Sequence, residues 1–240
     1  MTTTNLPACW QDFYDAMSCG IDRIILFGPP GTGKTYAGLN ISVGDGGSFR
    51  LVCSEDMTQA DVTGHWMPSA TGAWNWHDGN VLKGWVGNGK TGGRVVADEI
   101  DRASGDVLSS LLAMFDTVES ARWEHPATGD IVTPNEGFSV VMTTNLEQMR
   151  DLPTALKDRF PVAIRINTPH PDALLCLSAD LRGAAAASAD ADPARRFSVR
   201  TFMAFDKMRD KIGMDRAAKM LFGRYAGDIL DAIKISAVAS

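Results

Sequence analysis

The sequence predicts an α/β fold, a mainly parallel sheet flanked by helices, with a small helical segment closing the chain. Three features predict it. Short β-branched runs alternate with stretches of helical spacing, the first run breaks into a glycine-rich turn and then a helix, and strand-like runs cease beyond Thr168.

The elements follow in order. Arg23-Ile24-Ile25-Leu26-Phe27 is β-branched and aromatic and ends at Gly-Pro-Pro-Gly, which suits a buried strand, and Lys34 to Val43 continues as a helix. Further strands are expected at Phe49 to Cys53, Arg94 to Ala97, Phe138 to Thr143 and Val162 to Ile166. The clearest helix runs from Asp106 to Val118, where Val107, Leu108, Leu111, Leu112, Phe115 and Val118 recur at helical spacing. Strands alternating with helices imply a mainly parallel sheet covered on both faces. Pro169 and Pro171 then break the chain. The alanine-rich stretch from Gly183 to Ala194 reads as a helix end running into a flexible link. Val199 to Ile212 and Ala217 to Ile235 read as helices interrupted near Gly213 and Gly223. The expected organisation is one α/β domain over residues 1–168 and a helical lid over 169–240.

Composition narrows the function classes. Hydrophobic residues at 45% and charged residues at 22% are ordinary globular usage, which excludes wholesale disorder and fibrous repeats. A net charge of −6 argues against a surface that holds nucleic acid mainly by neutralising phosphates. Cys9, Cys19, Cys53 and Cys176 lack C-x-x-C spacing, and His65, His77, His125 and His170 are scattered, so reduced thiols and no structural zinc are expected. The segment from Met1 to Met17 has no basic residue, and no apolar stretch reaches membrane-spanning length, so a cytoplasmic location without a membrane segment is expected.

Gly28-Pro29-Pro30-Gly31-Thr32-Gly33-Lys34-Thr35 fits G-x-x-x-x-G-K-[ST] between a predicted strand and a predicted helix. Its glycines let successive backbone N–H groups converge on phosphate oxygens above a helix N-terminus. Lys34 is placed to bridge the β- and γ-phosphates of a nucleotide, and the Thr35 hydroxyl to coordinate magnesium. A turn that merely linked strand to helix would not need Lys-Thr at that offset. Val95-Val96-Ala97-Asp98-Glu99 ends an apolar strand in two carboxylates. Asp98 is the expected holder of magnesium, through water or Thr35, and Glu99 the expected acceptor of a proton from an attacking water. The alternative is a strand ending in a solvated acidic turn that includes Asp101. The phosphate loop upstream favours the functional reading.

With both motifs in place, the sequence resembles the AAA+ ATPases of the phosphate-loop NTPase class, and within them the MoxR-type group. Asp98-Glu99-Ile100-Asp101-Arg102-Ala103 is similar to that group's Asp-Glu-Ile-Asn-Arg-Ala signature and departs from it at Asp101. Met142-Thr143-Thr144-Asn145 resembles sensor 1, which would make Asn145 an orienter of the attacking water; a strand-end Asn capping a turn is the alternative. Leu156-Lys157-Asp158-Arg159-Phe160 resembles the arginine-finger segment, making Arg159 the candidate finger for a neighbouring subunit, against the alternative of a surface ion pair. Phe197-Ser198-Val199-Arg200-Thr201 looks like the start of the sensor 2 helix, with Arg200 the candidate γ-phosphate contact and Arg195 and Arg196 as competitors.

Two interruptions are also similar to the group. Between Gly64 and Gly92 lies a Gly/Trp-rich stretch holding Trp66, Trp74, Trp76 and Trp85, where MoxR-type proteins carry an insertion. Between Ala121 and Pro134 a hairpin-like pattern surrounds Thr128-Gly129-Asp130. The resemblance suggests that both face a ring's pore or rim, while packing of the tryptophans against the domain body is the alternative.

What the resemblance implies is an ATPase that uses ATP and Mg2+ to remodel or assemble a protein client as a homo-oligomeric ring, a hexamer in the family. Asp98, Glu99, Asn145 and the helical annex disfavour a small-molecule kinase. A nucleic-acid-handling motor and a nucleotide-dependent structural scaffold are the rival readings. The acidic balance weighs against the first, although the Trp-rich insertion offers surfaces for base stacking, and Glu99 weighs against the second.

Overall fold

The computed structural model describes residues 6–103, 105–189, 191–192 and 195–239. The chain opens with α1 (Ala8–Ser18), β1 (Arg23–Phe27), α2 (Lys34–Asn40) and β2 (Ser48–Val52). It continues through α3 (Gln59–Thr63), a hairpin of β3 (Gly64–Pro68) and β4 (Trp74–Asp78), α4 (Asn80–Val86) and β5 (Arg94–Asp98). Next come α5 (Gly105–Met114), a short hairpin of β6 (Trp123–Glu124) and β7 (Ile131–Val132), β8 (Ser139–Thr143), α6 (Thr154–Arg159) and β9 (Val162–Arg165). Five helices close the described chain: α7 (Pro171–Leu175), α8 (Ala179–Ala189), α9 (Val199–Ile212), α10 (Met214–Phe222) and α11 (Ala226–Ala239).

The chain divides into two compact units. One holds Asp12–Gly28 and Lys34–Arg165 and contains the whole sheet; the other holds Met1–Gln11, Pro29–Gly33 and Ile166–Ser240.

In the sheet unit the strand order is β2-β5-β8-β1-β9, with every neighbouring pair parallel. This is the doubly covered α/β arrangement that the alternation of runs predicts. Parallel strands need crossover connections, and a sheet buried on both faces needs continuous apolar strands. Accordingly, every residue of β5 is buried, and so are Ile24, Ile25 and Leu26 of β1. One core gathers Ile25, Leu51, Trp85, Val95, Leu111, Phe115, Phe138, Val140 and Leu156. On the other face α2 comes close to the sheet at Gly38, where an added Cβ would stand 3.1 Å from Val96 and 3.2 Å from Val141. The end of α2 is held by buried Arg94, which donates to the carbonyls of Gly38, Ile41 and Ser42 and whose pKa burial lowers to about 10.

The helix expected over Asp106 to Val118 stops at Met114. Buried Arg23 takes the carbonyls of Phe115 and Asp116 at 2.8 and 2.6 Å, and the Asp116 carboxylate accepts the Thr117 N–H at 2.8 Å. Those bonds compete with continued helix. The Gly/Trp-rich stretch is the antiparallel β3–β4 hairpin followed by α4, and Trp85 on α4 is fully buried, donating to Met114 O at 3.2 Å. Trp76 stacks edge-on against Trp66 and His125 and tilts over Trp123, so the two hairpins share one aromatic cluster.

The second unit has its own core of Leu181, Ala185, Phe202, Phe205, Ala217, Phe222 and Ile233. Ser198 caps α9 by accepting the Thr201 N–H at 3.3 Å. Part of the link expected near Asp190, Asp192 and Pro193 lies outside the described residues, at positions 190, 193 and 194.

Candidate functional site

The phosphate-loop motif leaves β1 at Gly28 and enters α2 at Lys34, the strand–loop–helix setting its spacing requires. Gly28 N–H donates to Leu146 O at 3.0 Å, which ties the start of the loop to the segment following β8. Lys34 is buried, and its Nζ donates to Gly28 O at 2.8 Å and to Asn145 Oδ1 at 3.2 Å. Burial pulls the Lys34 pKa down to about 8 against the opposing pull of Asp98, Glu147, Asp101 and Glu99. A desolvated ammonium of this kind is stabilised by any anion brought to it.

Thr35, in the first turn of α2, donates its hydroxyl to Asp98 Oδ1 at 2.7 Å. Asp98 ends β5, adjacent to β8, and Oδ1 also accepts the Thr143 hydroxyl at 2.5 Å. Its other oxygen, Oδ2, accepts from Arg50 through Nε at 3.1 Å and through Nη2. Burial pushes the Asp98 carboxyl up, but the Thr143, Arg50 and Thr35 hydrogen bonds and the Arg50 charge outweigh it, leaving the pKa below the ordinary value. Asp98 is therefore ionised across the neutral range.

Glu99 leaves the strand in a left-handed conformation, φ 58° and ψ 48°, which few non-glycine residues adopt. Its N–H lies 3.4 Å from Thr143 Oγ1, and its carboxylate accepts from Asn145 Nδ2 at 3.4 Å and pairs with Arg102 Nε at 3.0 Å. Asn145 thus stands between Lys34 and Glu99, touching both. Asp101 accepts the buried Thr144 hydroxyl at 2.5 Å. At the one position where the acidic signature departs from the resembled group, the side chain anchors the end of β8.

In the other unit, Pro29, Pro30, Gly31, Thr32 and Gly33 form the apex of the loop. Gly31 has φ +78°, and a Cβ built on it would lie 2.2 Å from Ser198 Cβ, so only glycine lets the loop lie against the α9 cap. Thr32 O accepts the His170 N–H at 3.3 Å, and buried His170 stands edge-on to fully buried Trp10, which donates to Thr168 O at 2.8 Å. Burial lowers the His170 pKa. Arg200 is exposed in the first turn of α9, two residues beyond Ser198. Arg195 lies 5.8 Å over the Tyr225 ring, and Arg196 donates to Ala191 O at 3.0 Å.

The structure brings Lys34, Thr35, Asp98, Glu99 and Asn145 into one hydrogen-bonded group. Arg159, at the end of α6, pairs instead with Asp116 at 3.7 Å. Sequence reasoning missed Arg50 and Thr143 as partners of Asp98, and Trp10, His170 and Ser198 as supports of the loop apex. The signal for Arg50 was a lone charge inside an apolar strand run.

The residues fit a nucleotide and its magnesium on their own chemistry. Hydroxyl and carboxylate oxygens are the hard donors Mg2+ prefers, and the buried ammonium of Lys34 suits a phosphate. The family model for the AAA domain (dynein-related subfamily) matches residues 23–160. The chain belongs to the AAA family. The AAA match begins on β1 and runs through both acidic and glycine-rich motifs to the end of α6, more than half of the sequence, and the fold is that of a phosphate-loop NTPase with a helical C-terminal segment.

Comparison with curated proteins finds no match. Among solved structures, NtrX from Brucella abortus is similar at 11% identity and a TM-score of 0.53, over 98% of this chain and 50% of that one. A structure described as a "putative ATPase" from Cytophaga hutchinsonii is similar at 20% identity and a TM-score of 0.47, over 69% of this chain and 47% of that one. The chain spans about half the length of these solved structures. Among the described residues of this AAA chain, no helix is long and apolar enough to cross a membrane.

Proposed function

We propose that this AAA protein hydrolyses ATP with magnesium and uses the cycle, as a homo-oligomeric ring of the MoxR type, to remodel or assemble a protein client. The observation that carries the reading is the contact of Asn145 with both Lys34 and Glu99, beside the Thr35–Asp98 pair. A phosphate-binding cation, a carboxylate base and the amide that positions them meet in one unit, and phosphoryl transfer to water requires little else but charge and alignment.

Each residue has a task in this reading. The loop from Gly28 through Gly33 receives phosphates on its backbone, and Lys34 neutralises the charge that develops on them. Thr35 and Asp98 hold magnesium, which when bound polarises the phosphate oxygens. Glu99 accepts a proton from water that Asn145 orients. Arg200 is assigned to the γ-phosphate, and Arg159 to the site of a neighbouring subunit. Residues 1–168 act as the nucleotide-binding domain and 169–240 as its lid, and the exposed Trp74 and Trp66 of the β3–β4 hairpin meet the client.

The test is nucleotide binding and phosphate release by the wild type and by Glu99→Gln. The reading expects bound ATP without turnover in the variant, with a client retained on it in a pull-down. Wild-type protein that binds no nucleotide, or a Glu99→Gln variant that hydrolyses ATP at the wild-type rate, overturns it.

A further inference from the structure

The Asp98 carboxylate is saturated by the protein itself. Oδ1 accepts two hydroxyls, from Thr35 and Thr143, and Oδ2 accepts two N–H groups of a single guanidinium, that of Arg50. A carboxylate offers about four lone-pair sites, so all are spoken for. The pairing is built into the sheet. In the parallel register Arg50 stands opposite Val96 and Val52 opposite Asp98, so the two-residue side-chain period puts Arg50 and Asp98 on one face, diagonally adjacent. The strand is held there by Asn80, whose Nδ2 donates to Arg50 O at 2.6 Å.

A hydroxyl on Asp98 can turn to present its own oxygen to a metal, whereas a guanidinium has no acceptor and never loses its charge near neutral pH. Arg50 therefore opposes a divalent cation at Asp98 in two ways, by occupying Oδ2 and by like-charge repulsion. Its side chain is half-exposed at 49%, with room to swing away, while that of Asp98 is 8% exposed.

We propose that Arg50 is a latch on Asp98 that keeps the Thr35–Asp98 site from taking a divalent cation until a nucleotide brings compensating negative charge. The assignment rests on the reading of Thr35 and Asp98 as the metal-holding pair. Arg50 is a positioning residue: it acts through the carboxylate, and its consequence is that metal and nucleotide load together.

The test uses Mn2+ as the probe, with free Mn2+ followed by electron paramagnetic resonance, on the whole chain with and without ADP. Arg50→Gln keeps an N–H donor for Asp98 but removes the charge, and it is expected to bind Mn2+ without nucleotide on the order of tenfold more tightly than wild type. Arg50→Lys restores the charge and is expected to return to wild-type affinity, a rescue that a purely structural role would not produce. Asp98→Asn placed on Arg50→Gln should abolish the gained site, and thermal melts confirm that each variant is folded. Equal nucleotide-free Mn2+ affinity in wild type and Arg50→Gln, with ADP strengthening Mn2+ binding in both, overturns the latch and leaves the metal site standing. Mn2+ bound by neither protein even with ADP overturns both.

Discussion

Asn145 donates its side-chain N–H to Glu99 Oε1 across 3.4 Å, from the tip of one central strand to the end of its neighbour. Its oxygen meanwhile accepts from Lys34. One amide thereby links the buried Lys34 ammonium to the Glu99 carboxylate. Asn145→Ala should lower ATP turnover by about 10–100-fold, while Glu99→Gln should lower it by about 100-fold or more, since general-base catalysis contributes on that scale. Both should keep ADP affinity within a few-fold of wild type. Steady-state phosphate release and ADP titration give the comparison, and equal turnover in wild type and Asn145→Ala removes Asn145 from the mechanism.

The parts legible in the sequence were those carried by contiguous residues. Gly28 to Thr35, and Asp98 with Glu99, are short contiguous runs at strand ends, and the structure sets Lys34 and Thr35 beside Asp98, Asn145 and Glu99. The helix at Val199 to Ile212 was legible because Gly213 interrupts the helical run at its end, and the structure adds Ser198 as the cap at its start. Arg50 was not, because its role depends on β2 lying beside β5, and strand order is set by tertiary packing. The same holds for Ser198 against Gly31, separated by most of the chain. The helix from Asp106 overran because the competing donor, Arg23, is far upstream. Family resemblance, not periodicity, singled out Asn145.

Lys34 gives the site a pH signature. Burial holds its pKa at about 8, below its ordinary 10.5, so between those values the unfolded chain keeps a proton that the folded chain has lost. Stability therefore carries the full Lys34 penalty below about pH 8 and is relieved of it as pH rises toward 10.5. Phosphates favour the ammonium, so nucleotide binding above pH 8 takes up a proton. ADP affinity should fall by up to about tenfold per pH unit from pH 8 upward, and calorimetry in two buffers of different ionisation heat should detect the uptake. Affinity unchanged between pH 7.5 and 9.5 would show that Lys34 is not the group being recharged.

Gly31 and Gly20 make a matched pair. Both have positive φ, +78° and +77°, but a Cβ on Gly31 meets Ser198 at 2.2 Å whereas one on Gly20 meets nothing within 4 Å. Gly20→Ala should cost only the backbone strain, about 1 kcal/mol. Gly31→Ala should cost a further ~1–3 kcal/mol from overpacking against the α9 cap. Urea denaturation of the two variants measures the difference, and equal midpoints would mean that the loop apex yields freely.

The two hairpins offer a contrast between tryptophans. Trp76 lies in the cluster with Trp66, Trp123 and His125 and donates to Asp78 at 2.8 Å, while Trp74 is 63% exposed. Trp76→Ala should destabilise by about 2–4 kcal/mol and Trp74→Ala by less than about 0.5 kcal/mol. Loss of client capture in Trp74→Ala with unchanged melting would assign that side chain to contact; a large loss of stability would return it to packing.

The last prediction concerns Arg159, whose contacts within the chain are weak, its Nη1 donating to Ala155 O at 3.3 Å. It faces Asp116 at 3.7 Å, beyond hydrogen-bond reach, and its buried Nε has no hydrogen-bond partner among the described residues. A partly exposed pair of this kind contributes about 0–1 kcal/mol, so Arg159→Ala should fold nearly as stably as wild type. Arg102, which would be the next residue to consider for a finger, pairs with Glu99 within the chain at 3.0 Å. If Arg159 serves the neighbouring subunit, Arg159→Ala leaves its own loop intact and deprives the adjacent site. Glu99→Gln has the opposite defect. Mixing the two nearly inactive variants should then restore turnover, at interfaces where an intact loop of the first meets an intact finger of the second. Such rescue needs a head-to-tail interface of the kind that closes into a ring. Subunit exchange between differently labelled variants must be shown by fluorescence transfer, because unmixed assemblies would be inactive for a trivial reason. Well-mixed assemblies that stay inactive, or Arg159→Ala protein that hydrolyses ATP at the wild-type rate by itself, remove Arg159 from the role and pass it to Arg102.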